Sequence, residues 1–304
     1  MMNHSQLNAD SLLRKSQSLH LASKTIADSM KSGVFKSFFR GRGIEFSGVR
    51  EYLRGDDVRS IDWNVTARMG KAFVKQFEED RELVLFLVID ASLSMQTGTS
   101  KNSRLYTAFE TAALAAFASS YTNSPVGYVV FDGDISFSCE PKTGKDQVPL
   151  LLSKLENILQ ESQKGNISTP KGSVLDKALK GTTKMLRKRS LVLIVSDFRV
   201  AGYEKSLAIL GMRHDVVALR ITDPSDTELP DLGGILFEDS ETGLTQHLPT
   251  NSVAFRRAWR ENGRNSFERW QTECTRRGVY PLEISTEHDP AQRLQFFFSA
   301  RERK

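Results

Sequence analysis

Two unbroken apolar runs stand out along the chain. Leu83–Ile89 reads LVLFLVI and ends at Asp90, and Leu191–Val195 reads LVLIV and is followed by Ser196 and Asp197. Such runs, bounded by polar residues, fit strands buried on both faces of a parallel sheet. Val126–Phe131, VGYVVF, and Asp215–Ile221, DVVALRI, continue the series. Helical spacing fills the intervals. Arg104–Tyr121 is Ala-rich, Asp146–Gln160 carries Leu150, Leu151, Leu155 and Leu159 on one side, and Val174–Leu186 and Tyr203–Met212 follow. Strands alternating with helices predict an α/β fold, a mostly parallel sheet with helices on both faces.

The flanks are patterned differently. Residues 7–32 place Leu12, Leu13, Leu19, Ile26 and Met30 at loose helical spacing, and Gly33 closes that helix. Residues 38–80 are rich in Gly, Arg and aromatics and predict short strands, turns at Gly41–Gly43 and Gly55–Asp57, a hairpin at Met69–Gly70, and Trp63 in a core. Beyond Pro224 the pattern predicts a strand over Gly233–Asp239, a turn at Glu241–Gly243, a helix over Asn251–Arg277 capped by Asn251 or Ser252, a strand over Val279–Ser285 and a helix over Pro290–Phe298. The last strand is expected to return to the sheet. The expected division is an N-terminal helix (1–32), a small β-rich Arg/Gly subdomain (33–82), an α/β core (83–224) and a C-terminal extension docked on that core (225–304).

Composition adds little beyond class. Of the 304 residues 39% are hydrophobic and 26% charged, which suits an ordinary globular core. Cys139 and Cys274 have no metal or redox spacing, so a reducing compartment is expected. No apolar run reaches bilayer-crossing length, and the N-terminus lacks the apolar core of a signal peptide. A cytoplasmic location with no membrane insertion is the expectation. The net charge of +5 is a mild excess, 42 basic residues against 37 acidic. It fits a solvated mixed-charge surface better than a nucleic-acid footprint.

The candidate chemistry lies where the buried runs end. Open α/β sheets place ligands outside the carboxyl ends of their strands. Asp90, Ser92 and Ser94 are small oxygen donors at alternate positions, and Asp197 ends the second run. Ser173 precedes a predicted helix, with Thr169 nearby as an alternative. Two carboxylates and three hydroxyls suit one hard cation, Mg²⁺, Mn²⁺ or Ca²⁺. The same Asp and Ser residues could simply cap the following helix. In residues 48–68, Arg50, Arg54, Arg59 and Arg68 alternate with Asp56, Asp57 and Asp62. These form either a network of Arg–carboxylate forks or a partner surface centred on Arg50, Arg54, Asp56, Asp57 and Arg59. The Arg-rich helix 251–277 also holds Glu261, Glu268 and Glu273 and reads as a solvated face. The five histidines form no ligand pair.

Asp90-x-Ser92-x-Ser94, the hydroxyl before a helix and Asp197 after a buried strand resemble the metal-ion-dependent adhesion site of von Willebrand factor A domains. GVREYLRGDDVRSIDWNVTAR at 48–68, VKQFEED at 74–80 and LFEDSETG at 236–243 resemble the bacterial family called domain of unknown function 58. That family usually carries Thr where Ser173 stands. The resemblance implies a von Willebrand factor A-like sheet and one ion held by Asp90, Ser92, Ser94, Ser173 and Asp197. The ion would keep an open position for a partner's carboxylate. It also implies a MoxR-type AAA+ ATPase, or its client, as partner, in protein complex maturation.

Other classes are less well supported. A haloacid-dehalogenase-type hydrolase needs a second Asp where Ser92 stands, and Ser cannot act as the acid at neutral pH. Neither a Gly-x-Ser-x-Gly elbow nor a phosphate loop occurs. A metal-dependent hydrolase and a nucleic-acid binder remain the alternatives to a non-enzymatic interaction module.

Overall fold

A computed structural model describes residues 22–30, 45–78, 83–100, 102–144, 146–163, 174–238 and 245–302. The chain divides into two compact units, residues 37–82 and the remainder.

The small unit is built on β1 (Glu45–Glu51) and β2 (Phe73–Glu78), paired antiparallel. α1 (Trp63–Met69) lies between them in sequence. The expected hairpin at Met69–Gly70 is replaced by this helix. Asp62 caps its start by accepting from the Asn64 and Val65 N–H groups, and Gly70, at φ 70°, ends it. Trp63 is 67% exposed rather than in the core, because it begins a helix that buries none of its residues. Arg50 and Asp56 form a two-pronged fork at 2.7 Å per bond. Hydrogen bonding to Arg50 holds the Asp56 carboxyl down at about 2. The expected network reduces to this one fork. Asp57 and Asp62 accept from backbone N–H groups, and Arg54, Arg59 and Arg68 have no ion pair among the described residues.

The large unit is a six-stranded sheet. Its strands in chain order are β3 (Leu85–Asp90), β4 (Val126–Phe131), β5 (Ile135–Lys142), β6 (Leu191–Ser196), β7 (Asp215–Thr222) and, late in the chain, β10 (Tyr280–Ser285). Their spatial order is β10-β7-β6-β3-β4-β5, and every pairing is parallel except β4 with β5. β5 was not expected. Its alternate burial marks an edge strand with one solvated face, and it follows β4 through a short turn. The returning C-terminal strand does join the sheet, beside β7.

Successive side chains of a strand face opposite ways, so strands buried throughout need cover on both faces. One set, Phe86, Val88, Val192, Ile194, Val216 and Ala218, packs with α5 (Leu175–Met185), α6 (Glu204–Arg213) and α7 (Val253–Arg276). The opposite set, Leu85, Leu87, Ile89, Leu193 and Val217, is equally buried. α3 (Arg104–Tyr121) packs against β3 and also meets the C-terminal helix α8 (Pro290–Glu302). The short α2 (Leu93–Gln96) follows β3, and α4 (Gln147–Gln163) packs on α3. A helix at residues 22–30 buries Ile26 and Met30, and Ser29 meets Ser299 of α8 at 3.1 Å. β8 (Gly234–Glu238) and β9 (Thr245–Pro249) form a separate hairpin. The predicted turn at 241–243 and most of the helix 7–32 lie outside the described residues.

α7 crosses the turn that follows β7 at very close range. A Cβ at Gly263 would stand 2.3 Å from the Asp226 carbonyl oxygen, and Trp259 Nε1 donates to the Ser225 carbonyl at 2.9 Å. Gly181 in α5 has open space where a Cβ would go. Gly263→Ala should therefore lower the urea midpoint, destabilising by about 1–3 kcal/mol through overpacking. Gly181→Ala should raise it by up to about 1 kcal/mol through helix propensity. Equal effects of the two substitutions would contradict this account of the α7 crossing.

Candidate functional site at the carboxyl edge of the sheet

Because β3, β4, β6, β7 and β10 run parallel, their carboxyl ends share one edge. β3 and β6 are neighbours, with Ile89 opposite Val195, so Asp90 and Asp197 leave adjacent strands at that edge. Both are buried, at 1% and 2% exposure.

Asp90 is held from two sides. Oδ1 accepts from the Ser92 N–H at 3.0 Å, and Oδ2 accepts from Ser196 Oγ at 2.6 Å. Ser196 also accepts from the Phe198 N–H at 3.1 Å, so one hydroxyl ties the end of β3 to the bend after β6. Nothing in the spacing of the motif singled out Ser196. The only signal was its place as the last residue of a buried apolar run.

The hydroxyls of the loop are not used as caps. Ser92 occupies the N-cap position of α2, yet its side chain makes no capping bond. Ser92 Oγ and Ser94 Oγ lie 3.1 Å apart and both residues are buried. The capping alternative thus fails for the Ser92 side chain. Ser173 and Thr169 lie outside the described residues. α5 begins at Leu175, and its N-cap residue, Val174, supplies no side-chain cap.

Asp197 is only partly satisfied. Oδ1 accepts from the Arg199 N–H at 3.1 Å. Oδ2 is buried with no hydrogen-bond partner among the described residues, and Arg199 Nε stands off at 3.6 Å. The next residue, Phe198, has φ 52°, uncommon for a bulky side chain. Its ring is fixed against Tyr203 and Trp270 at centroid distances of 5.7 and 5.4 Å.

The electrostatics follow from this packing. Burial, and then the nearby Asp197 carboxylate, push the Asp90 carboxyl up from 3.8 to about 7, against the hydrogen bonds from Ser196 and Ser92. One strand over, Asp223 behaves oppositely. Burial opposes its charge, but hydrogen bonds from Ser225 and Thr99 outweigh burial and hold it well below the usual carboxylate range. Thr99 lies in the loop after α2, so Asp223 anchors that loop, and Thr286 Oγ1 donates to the same carboxylate at 3.0 Å. Arg104, 2% exposed, donates to Thr97 and to Asp226 Oδ1 at 2.5 Å. Arg199 also pairs with Asp226.

Among the described residues no three His, Cys, Asp or Glu side chains stand together as a metal site. The set assembled at the edge is instead two carboxylates and two hydroxyls. Asp197 Oδ2, which lacks a hydrogen bond among the described residues, the mutually bonded Ser92 and Ser94 hydroxyls and the nearby Asp90 carboxyl fit a hard cation. The charged residues at 50–59 belong to the other unit.

Comparison with known proteins points to one family. The family model described as "Protein of unknown function DUF58" matches residues 48–269. Uncharacterized proteins of Mycobacterium bovis and Mycobacterium tuberculosis are each 29% identical over 235 residues, covering 76% of this chain and 72% of theirs. Among solved structures, the conserved hypothetical protein BatB from Bacteroides thetaiotaomicron is 16% identical with a TM-score of 0.42, over 73% of this chain and 100% of that one. An aerotolerance-related membrane protein from Bacteroides fragilis is 17% identical with a TM-score of 0.43, over 73% and 98%. Among the described residues no helix of this chain is long and apolar enough to cross a membrane.

The raised Asp90 value has a definite sign. In the folded chain the proton is held more tightly than at the ordinary 3.8, so this group favours folding below about pH 4 and loses that contribution as pH rises to about 7. The Asp197 charge supplies part of this shift, and that repulsion is lost with the carboxylate in Asp90→Asn. In chelator, wild-type stability relative to Asp90→Asn should fall between pH 4 and 7, read as diverging melting temperatures. A difference that stays constant with pH would refute the raised value.

Proposed function

The chain belongs to the DUF58 family of proteins of unknown function, and on that premise we propose that it is a cytoplasmic, metal-dependent protein-binding module rather than an enzyme. The observation that carries the reading is the buried Asp90–Asp197 pair, flanked by hydroxyls that cap nothing and leaving one carboxylate oxygen without a donor. Asp90, Ser92, Ser94 and Asp197 would hold one Mg²⁺, Mn²⁺ or Ca²⁺, with Ser173 or Thr169 as the third-loop donor. The bound ion would supply a coordination position for an Asp or Glu of a partner protein.

The chain's own residues prepare the site. Ser196 aims the Asp90 carboxylate, and the Ser92 N–H fixes its other oxygen. Phe198, clamped between Tyr203 and Trp270, turns the backbone just after Asp197. Asp223 and Arg104 pin the loop that follows Ser94. The hydroxyls bonded to Asp90, those of Ser196 and Ser92, are buried and serve to place the carboxylate, which favours binding over hydrolysis. The resemblance to the family supplies the partner class, a MoxR-type AAA+ ATPase or its client, and adapter or co-chaperone work in complex maturation as the setting.

Mg²⁺ should raise the melting temperature of the wild type. At a free concentration 100 times the dissociation constant the gain is about 2.7 kcal/mol. Asp90→Ala should abolish the response. A tagged wild-type chain should capture an acidic partner in Mg²⁺ and release it in chelator. Full retention of the Mg²⁺ shift by Asp90→Ala rules out the metal reading. Capture that survives in chelator, yet is lost on replacing Arg54 and Arg59, would move the contact to the small unit.

A further inference from the structure

A second feature occupies the same sheet edge, two strands away. A cavity of about 450 Å³ opens between the carboxyl ends of β7 and β10, the turn after β7 and the flank of α7. That volume falls within the range of small-ligand pockets. Its charges are distributed by element. Asp223 and Asp226 line it but are engaged by donors of their own, which leaves six: Arg220 from β7, Arg260 and Arg264 from α7, and Glu228, Glu283 and Glu287 from the turn, from β10 and from the loop after it.

None of these six side chains is in an ion pair among the described residues. Arg260 and Arg264 are one helical turn apart and exposed, while Glu283 is engaged only by the Thr222 hydroxyl at 3.0 Å. Arg220 is different in kind, being only 9% exposed. Its guanidinium lies over the rings of Trp270 and Phe267 at 5.5 and 5.8 Å and reaches one acceptor, the Ser266 carbonyl, at 3.5 Å. A buried guanidinium has five N–H donors, so most of this one's capacity is unspent. Burial also pushes its pKa down from the ordinary 12.5. None of its nitrogens is both fully buried and unbonded, so the free donors face the cavity, where an acceptor from outside can meet them.

A simple anion would meet the Arg220 guanidinium but would also face Glu228, Glu283 and Glu287. A simple cation would meet the carboxylates but face three guanidinium groups. A ligand carrying both charges satisfies both sets. We propose that this cavity binds a small zwitterion of amino-acid or dipeptide size, with its carboxylate on Arg220 and the α7 arginines and its ammonium on the glutamates. Planar guanidinium groups suit the carboxylate end, since they can bond it through two parallel N–H groups. The cavity does not depend on the metal site. Glu228, Glu283, Glu287, Arg260 and Arg264 make no hydrogen bond or ion pair with Asp90 or Asp197 among the described residues, and Arg220 acts on Asp197 only through its charge.

The test uses the full chain and a set of probes: the free amino acids and alanyl dipeptides, the N-acetylated and the C-amidated forms of whichever binds best, and inorganic phosphate. Binding is followed by titration calorimetry. The free zwitterion should bind, and blocking either end should weaken it at least tenfold. Arg260→Ala/Arg264→Ala and Glu287→Gln, all at exposed positions, should each weaken the free form while leaving the Mg²⁺ response of the wild type intact. The proposal is overturned if no free amino acid or dipeptide binds. It is equally overturned if the blocked forms bind as well as the free one, or if phosphate binds more tightly than any zwitterion.

Discussion

The hydrogen bond from Ser196 to Asp90 is the contact on which the edge of this sheet depends. A carboxylate that ends a fully buried strand cannot be solvated by bulk water, so its position is set by the few donors that reach it. Ser196 reaches it from the neighbouring strand, and the same hydroxyl receives the Phe198 N–H. The bend that carries Asp197 is thereby tied to the end of β3. The two acids are placed at one edge by backbone pairing and one hydroxyl.

Around that contact lies a second ring of restraints. Asp226 accepts from Arg104, which begins α3, and from Arg199, which stands beside Asp197. Asp223 binds the loop after Ser94 and, through Thr286, the end of β10. The carboxylates at this edge thus divide into two kinds. Asp223 and Asp226 are fully engaged with donors and serve the architecture. Asp90 has no cationic partner among the described residues, and Asp197, with Arg199 at 3.6 Å, keeps an oxygen without a hydrogen bond. That contrast, more than the number of acids, marks the latter pair as the place where a ligand would act.

Much of the large unit was legible because a strand buried on both faces leaves an unbroken apolar run, and few other structures do. Leu83–Ile89 and Leu191–Val195 could hardly be anything else, and the positions of Asp90 and Asp197 follow from where those runs stop. β5 was missed because an edge strand with one wet face, Ile135–Lys142, mixes Ser, Cys, Glu and Lys with its apolar residues. In the small unit, Gly55, Gly70 and clustered arginines suggested turns. The helix over Trp63–Met69 is specified by its two caps, Asp62 and Gly70, rather than by an apolar stripe. Trp63 was misread for the same reason, since a large aromatic counts as core only when an apolar face accompanies it. Ser196 could not be singled out, because its role depends on which strand lies beside it, and strand order is not a local property of sequence.

Phe198 carries a consequence for how such an edge could change. Its left-handed backbone would be more comfortable for glycine, which reaches that conformation without a steric penalty. A phenylalanine held there by Tyr203 and Trp270 converts a local conformational preference into a tertiary one. The bend after β6 is therefore maintained by the aromatic core beneath it, and Trp270 belongs to α7, roughly seventy positions further along the chain. The aim of Asp197 is in this sense a long-range property. Loosening α7 would relax the bend even with every residue of the edge itself unchanged.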